Sequence, residues 1–174
     1  LFLFFIISYT TAFAQEECKV ECQHRGFRPE NIEYFQQPIM DKYDIKYLKL
    51  DISVESANTA ISGICTYNTV TTNLLDTFAI EFRQAMTVDS IFINGTKLNF
   101  LRELDHILVP LAAPISQGTN VQVITYFRGT PTNGLFSGTN NTLRFTYSLS
   151  ESFQAREWYP AKQVLTDKID SADI

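Results

Sequence analysis

The sequence predicts an all-β protein, an antiparallel β-sandwich or a pair of saddle-shaped sheets, preceded by a signal peptide. Three observations predict the β body. From Asp41 onward, short stretches alternate apolar and polar residues with a period of two. Each stretch is bounded by Asn, Asp, Gly or Thr, the residues that turn a chain between strands. No stretch carries the 3.6-residue spacing of an amphipathic helix. The 174 residues, 45% hydrophobic and 13% aromatic, suffice to bury one sizeable core.

The first element, residues 1–14, reads as a signal peptide. An apolar run, Leu-Phe-Leu-Phe-Phe-Ile-Ile, is followed by small and polar residues and by Ala12-Phe13-Ala14, an Ala-x-Ala site that places cleavage after Ala14. The run is too short to span a bilayer as a helix, so no transmembrane segment is expected. The chain is therefore expected to be exported, to the periplasm or the extracellular space. Residues 15–40 form an amino-terminal extension and residues 41–174 the β domain.

Export makes the cysteines relevant, because disulfides persist outside the cytoplasm. Cys18 and Cys22 are close enough for a local bridge, and Cys65, in a predicted strand, is either a buried thiol or the partner of one of them. Cys18, Cys22 and His24 do not have the spacing of a standard zinc knuckle.

Within the β domain the first strand contains Tyr43, Ile45 and Tyr47 on one parity and Leu48, Leu50, Ile52 and Val54 on the other. Such a slip in phase implies a bulge or twist. Ile61 to Val70, Phe78 to Phe82 and Val88 to Ile93 follow as strands. Asn94-Gly95 supplies two residues that tolerate positive φ and predicts a hairpin joining Ile91 and Ile93 to Leu98 and Phe100. Leu104 to Leu111 and Val121 to Phe127 complete the set. His106 reads as a hairpin-turn residue, and Asp89 and Asp105 as ordinary loop acids. Asn94-Gly95-Thr96 and Asn140-Asn141-Thr142 are glycosylation sequons in form, the first better explained by its turn.

Charge excludes one class of partner. The net charge of -5 and pI near 5.0 leave no basic stripe for phosphates, so nucleic acid is not expected.

The stretch richest in chemistry is Leu149-Ser150-Glu151-Ser152-Phe153-Gln154-Ala155-Arg156-Glu157-Trp158-Tyr159-Pro160. Trp158 and Tyr159 are rings that anchor a core or line a pocket, and Pro160 ends regular pairing. Glu151, Arg156 and Glu157 are then expected beside a concave, half-apolar surface, where a carboxylate makes a natural receptor for a cation. The plainer reading of the same residues is an Arg156–Glu ion pair at the border of a core.

The order of landmarks resembles that in the amino-terminal domain of zinc aminopeptidases of the aminopeptidase N and leukotriene A hydrolase type. Tyr43-Asp44-Ile45-Lys46-Tyr47 opens the first strand and Ile61-Ser62-Gly63 the second. Tyr126-Phe127-Arg128-Gly129 precedes Gly134-Leu135-Phe136-Ser137, and Ser150-Glu151-Ser152 runs into Ala155-Arg156-x-x-Tyr159-Pro160. The resemblance implies that Glu151 binds the free α-amino group of a peptide substrate, with Arg156 and Tyr159 in supporting positions. It implies zinc as the cofactor of the full-length enzyme, held by a downstream catalytic domain through His-Glu-x-x-His and a distant Glu. This chain, with His24 and His106 as its histidines, contains no such motif and is expected to be inactive by itself. The family's usual Cys-x-Asp-x-Pro continuation is replaced here by Ala161-Lys162-Gln163-Val164-Leu165. The alternative function is a non-catalytic exported β module that binds a peptide or another protein through its Tyr- and Phe-rich surface.

Overall fold

Residues 38–56, 58–150, 153–164 and 167–174 are described by the structure, a computed structural model. The signal peptide, most of the amino-terminal extension with Cys18, Cys22 and His24, and the candidate amine-binding residue Glu151 lie outside the described residues.

Among the described residues, eleven strands follow a short 3-10 turn, Pro38–Lys42, whose Met40 is fully buried in the core. They are β1 (Tyr43–Val54), β2 (Ile61–Thr71), β3 (Leu75–Glu81), β4 (Met86–Ile93), β5 (Thr96–Leu98), β6 (Leu101–Glu103), β7 (His106–Ile115), β8 (Asn120–Gly129), β9 (Leu135–Asn140), β10 (Leu143–Ser148) and β11 (Ser171–Asp173). A six-stranded sheet has the order β11-β1-β2-β8-β4-β5, a three-stranded sheet β3-β7-β6, and β9 and β10 form a separate hairpin.

The phase slip in β1 is a bulge. The β1–β2 register shifts between Ile45 and Tyr47, which lets Tyr43 and Ile45 enter the core ahead of the slip and Leu48 and Leu50 after it. The Asn94-Gly95 turn also forms as predicted, with φ of 50° and 79°, and pairs Ile91 with Leu98 and Ile93 with Thr96. Phe100 falls beyond β5 rather than in the paired strand.

The larger and smaller sheets share one core. Phe78 on β3 meets Tyr43 on β1 with ring centroids 4.7 Å apart, and Phe127 on β8 meets Phe82, just past β3, edge to face at 5.5 Å. The Tyr43 hydroxyl crosses between sheets to donate to the Ala79 carbonyl at 2.5 Å. Each fully buried aliphatic or aromatic side chain here contributes about 1.5–3 kcal/mol of transfer free energy.

Four expectations are corrected. The sheets are antiparallel except that β11 runs parallel to β1, because the chain returns through the long 149–170 excursion rather than a hairpin. His106 is not a turn residue. The turn is Leu104-Asp105, with Leu104 at φ 54°, and His106 begins β7. Asp89 is in strand β4 at a second bulge and pairs with exposed Arg128 at 3.0 Å. The β9–β10 hairpin was not foreseen; its turn is at Asn141, φ 55°, inside the sequence read as a sequon.

Among the described residues no helix is long and apolar enough to cross a membrane.

Candidate functional site

The segment from Phe153 to Val164 lies against the end of β3, and a buried carboxylate fastens it there. Glu81 lies inside a run, Phe78 to Phe82, in which every residue is buried. A charge in such a place requires partners, since its desolvation is otherwise uncompensated. Arg156 Nη1 donates to Glu81 Oε2 at 3.3 Å and Gln163 Nε2 to the same oxygen at 3.1 Å. His106 stands directly across the β3–β7 pair from Glu81, its Nε2 3.5 Å from Oε1. Backbone bonds run both ways between Glu81 and Ala161, at 3.0 and 2.8 Å.

A second polar knot adjoins it. Arg83 Nε donates to Glu157 at 3.0 Å and Nη1 to Asp105 at 2.7 Å, while the Arg83 amide donates to the Arg156 carbonyl at 3.1 Å. Asp105 also accepts from the Gln84 amide at 3.1 Å. Arg156 and Glu157 therefore face β3 and the β6–β7 turn, not a concave surface. The ion-pair reading of Arg156 is the one the geometry takes, with Glu81 as partner.

Asp105 gives a pH dependence with a definite sign. Burial opposes its charge, but the hydrogen bond and charge of Arg83 outweigh that, and the carboxyl is held below the ordinary value. A carboxyl depressed in the folded state contributes stability above its unfolded pKa of about 3.9, lost as the pH falls through the folded value. Asp105→Asn is expected to flatten the acid limb of a stability–pH curve below about pH 4. Denaturant melts at pH 3 and pH 6 check this; an unchanged difference between the two would refute it.

The loop entering this region is tied at its start. Trp158, 7% exposed, donates its indole N–H to Ser150 Oγ at 2.8 Å, and the Leu149 amide donates to the Gly134 carbonyl at 3.1 Å. Gly134, at φ 79°, has no room for a side chain: a Cβ there would lie 2.7 Å from Trp158 Cδ1. Phe153, at the far side of the two undescribed residues, has φ 67°, the left-handed region that a bulky residue adopts only under constraint.

Tyr159 is half-buried with its ring edge-on to Trp158 at 4.7 Å, and burial raises its hydroxyl pKa to about 12. The Pro160 carbonyl accepts from Tyr67 Oη at 2.7 Å. Cys65 is a buried free thiol 3.7 Å from that carbonyl, and burial pushes its pKa up. Its place in the core fits a small apolar side chain rather than a reactive thiolate.

Of the residues that sequence reasoning singled out, the structure brings Arg156 and Tyr159 together in this segment, and Glu151 lies outside the described residues. Sequence reasoning missed Glu81, Gln163, Arg83 and the Ser150–Trp158 bond. Only Glu81 carried a signal, as the one charge in the otherwise apolar run Phe78 to Phe82. Among the described residues no group of three or more His, Cys, Asp or Glu side chains is placed to hold a metal ion, so a zinc ion does not fit the residues seen here.

Similar folds exist among solved structures. An M1 zinc metallopeptidase from Deinococcus radiodurans matches 70% of this chain with a TM-score of 0.60 and 22% identity. A mutant of the same enzyme bound to a Tyr-Ser-Ala substrate matches equally. Leukotriene A4 hydrolase from Saccharomyces cerevisiae matches 75% with a TM-score of 0.63 and 22% identity. The chain spans only 29% of the bacterial enzyme and 23% of the yeast one. No protein-family model and no curated protein matches the chain. The likeness is one of fold, and it falls on the group of enzymes that the sequence landmarks resemble: the chain has the fold of a β region found within M1 zinc metallopeptidases and leukotriene A4 hydrolase.

Proposed function

We propose that this chain is the amino-terminal β domain of an exported zinc-dependent aminopeptidase, and that Glu151 binds the free α-amino group of the peptide substrate. The observation that supports the reading most is the fold match to the two enzymes above, made independently of the sequence landmarks. The fixed segment on either side of residues 151–152 is consistent with it. An aminopeptidase must separate a terminal ammonium from an internal amide, and a held carboxylate rewards the first and is left unpaired by the second. Zinc would activate water in a catalytic domain further along the polypeptide, and the residues described here would not touch it.

Two experiments test this. Reading the gene in frame past Ile174 should reveal Gly-x-Met-Glu-Asn and then His-Glu-x-x-His with a later Glu. In the full-length protein, Glu151→Ala should lower kcat/KM for free-amine substrates by about 30- to 1000-fold, equivalent to the 2 to 4 kcal/mol of a lost charge-assisted contact. Unchanged kinetics would remove the role given to Glu151.

A second reading, a non-catalytic module that binds a peptide or protein, draws on the exposed strip of Leu143, Phe145 and Tyr147 along β10. A stop codon within a few dozen residues of Ile174, together with peptide binding that needs no zinc, would favour it.

A further inference from the structure

We propose that the outward face of the six-stranded sheet binds a neutral oligosaccharide, with a row of carboxamide side chains on β2, β8 and the β4–β5 turn recognising its hydroxyl groups. The proposal is independent of Glu151 and of zinc.

The layout of this face follows from strand register. Asn68 on β2 stands opposite Gln122 on β8, and Asn94, in the turn after β4, joins them: its Oδ1 accepts from the Gln122 amide at 2.9 Å. Two residues further along β8, Thr66 and Phe92 flank Ile124; two further still, Ile64 and Ser90 flank Tyr126. Residues two apart in a strand point to the same side, so these rows are about 7 Å apart on one face, a spacing comparable with the width of a pyranose ring. Tyr126 is 39% exposed and meets Phe92 edge to face at 5.8 Å. The first row is therefore amide, and the next two carry aromatic rings.

The amide row borders a cleft of about 380 Å³ whose lining includes Lys46, Asn68, Asn94, Asn120 and Gln122. Gln122 Nε2 donates to Asn68 Oδ1 at 3.2 Å, which orients both side chains. These bonds leave the Nδ2 groups of Asn68 and Asn94 as donors and Gln122 Oε1 as an acceptor, all at exposed positions. A carboxamide sets a donor beside an acceptor, which matches two neighbouring hydroxyls, and the C–H face of a sugar ring packs on an aromatic ring. Asparagine is also among the residues least favoured in strands, so strand propensity does not account for Asn68 within β2.

Charge and backbone narrow the ligand class. Among the described residues Lys46 is the one charge lining the cleft, and Asp44 at 2.6 Å and Asp170 at 3.6 Å neutralise it, so nothing there favours an anion. β2, β8 and β4 each have a strand on both sides, and no main-chain edge is open at the cleft for a peptide to pair with. Recognition falls to neutral side chains and rings, the groups suited to an uncharged polyol.

Isothermal titration of the full-length protein with cellotetraose, a neutral oligosaccharide with flat ring faces, tests this. A Kd of about 0.1–1 mM is expected for an open site with a few hydrogen bonds and one exposed ring. Gln122→Ala should raise Kd about five- to tenfold through loss of its hydrogen bonds. Tyr126→Ala should raise it at least as much, and Tyr126→Phe, which keeps the ring, should leave it within about twofold. Both side chains are exposed, so melting temperatures should stay close to that of the unsubstituted protein. The proposal is overturned if no binding is detected up to about 10 mM cellotetraose, a concentration well above the expected Kd. It is equally overturned if Gln122→Ala and Tyr126→Ala bind as the unsubstituted protein does, or if N-acetyl-tetraalanine amide competes for the same site, which would make this a peptide surface.

Discussion

Arg156→Met is expected to lower the unfolding free energy by about 3 kcal/mol, near the lower end of the cost of removing one partner of a buried ion pair. The lower end applies because the Arg156 side chain is 20% exposed while that of Glu81 is fully buried. Methionine retains much of the arginine stem, so the loss reports the charge and its hydrogen bonds more than packing. Gln163 and His106 remain beside Glu81 but bring no fixed positive charge to replace the guanidinium. The double variant Glu81→Met/Arg156→Met should be more stable than Arg156→Met alone, since no carboxylate is then left in the core without its cation. Urea unfolding of the unsubstituted protein, Arg156→Met and the double variant measures both statements. A double variant less stable than the single one would mean that Glu81 is held mainly by its other contacts.

Phe78→Ala should cost about 3–5 kcal/mol, the range for truncating a fully buried phenylalanine. Phe78 is at 0% exposure where the two sheets meet, against Tyr43, and the strands on both sides limit how far the void can close. Phe78→Leu leaves a smaller cavity and should cost markedly less. Because Tyr43 both stacks on Phe78 and donates to Ala79, Tyr43→Phe and Phe78→Ala should be coupled rather than additive. Chemical denaturation checks the cost; a loss below about 1 kcal/mol would show that the sheets collapse onto the site.

Much of the β framework was legible because strand patterning is local. Alternation of apolar residues marked β1, β2, β4 and β8, and the change of parity after Tyr47 marked the bulge, since a one-residue slip reverses which side chains face the core. Asn94-Gly95 was legible for the same reason: the need for two residues at positive φ is a property of the turn itself. The turn at Leu104 was not, because a leucine carries no such preference and tertiary pairing of β6 with β7 imposed its φ of 54°. His106 was misplaced by the same error of two residues.

At the candidate site the split is similar. Composition and order pointed to the segment around Arg156 and to the two possible settings for its charge. Only the folded chain chose between them, because the partner, Glu81, is 75 residues away in sequence and next to Arg156 in space. The same holds for Arg83 with Glu157 and for Gln163 with Glu81. What the sequence by itself determined is strands such as β1, β2, β4 and β8, the bulge and one hairpin, each governed by neighbours within a few residues. What only the tertiary structure decided is which buried charges meet, how the 153–164 segment is fastened to β3, and that β11 pairs in parallel. These depend on contacts between distant parts of the chain, and no local preference encodes them.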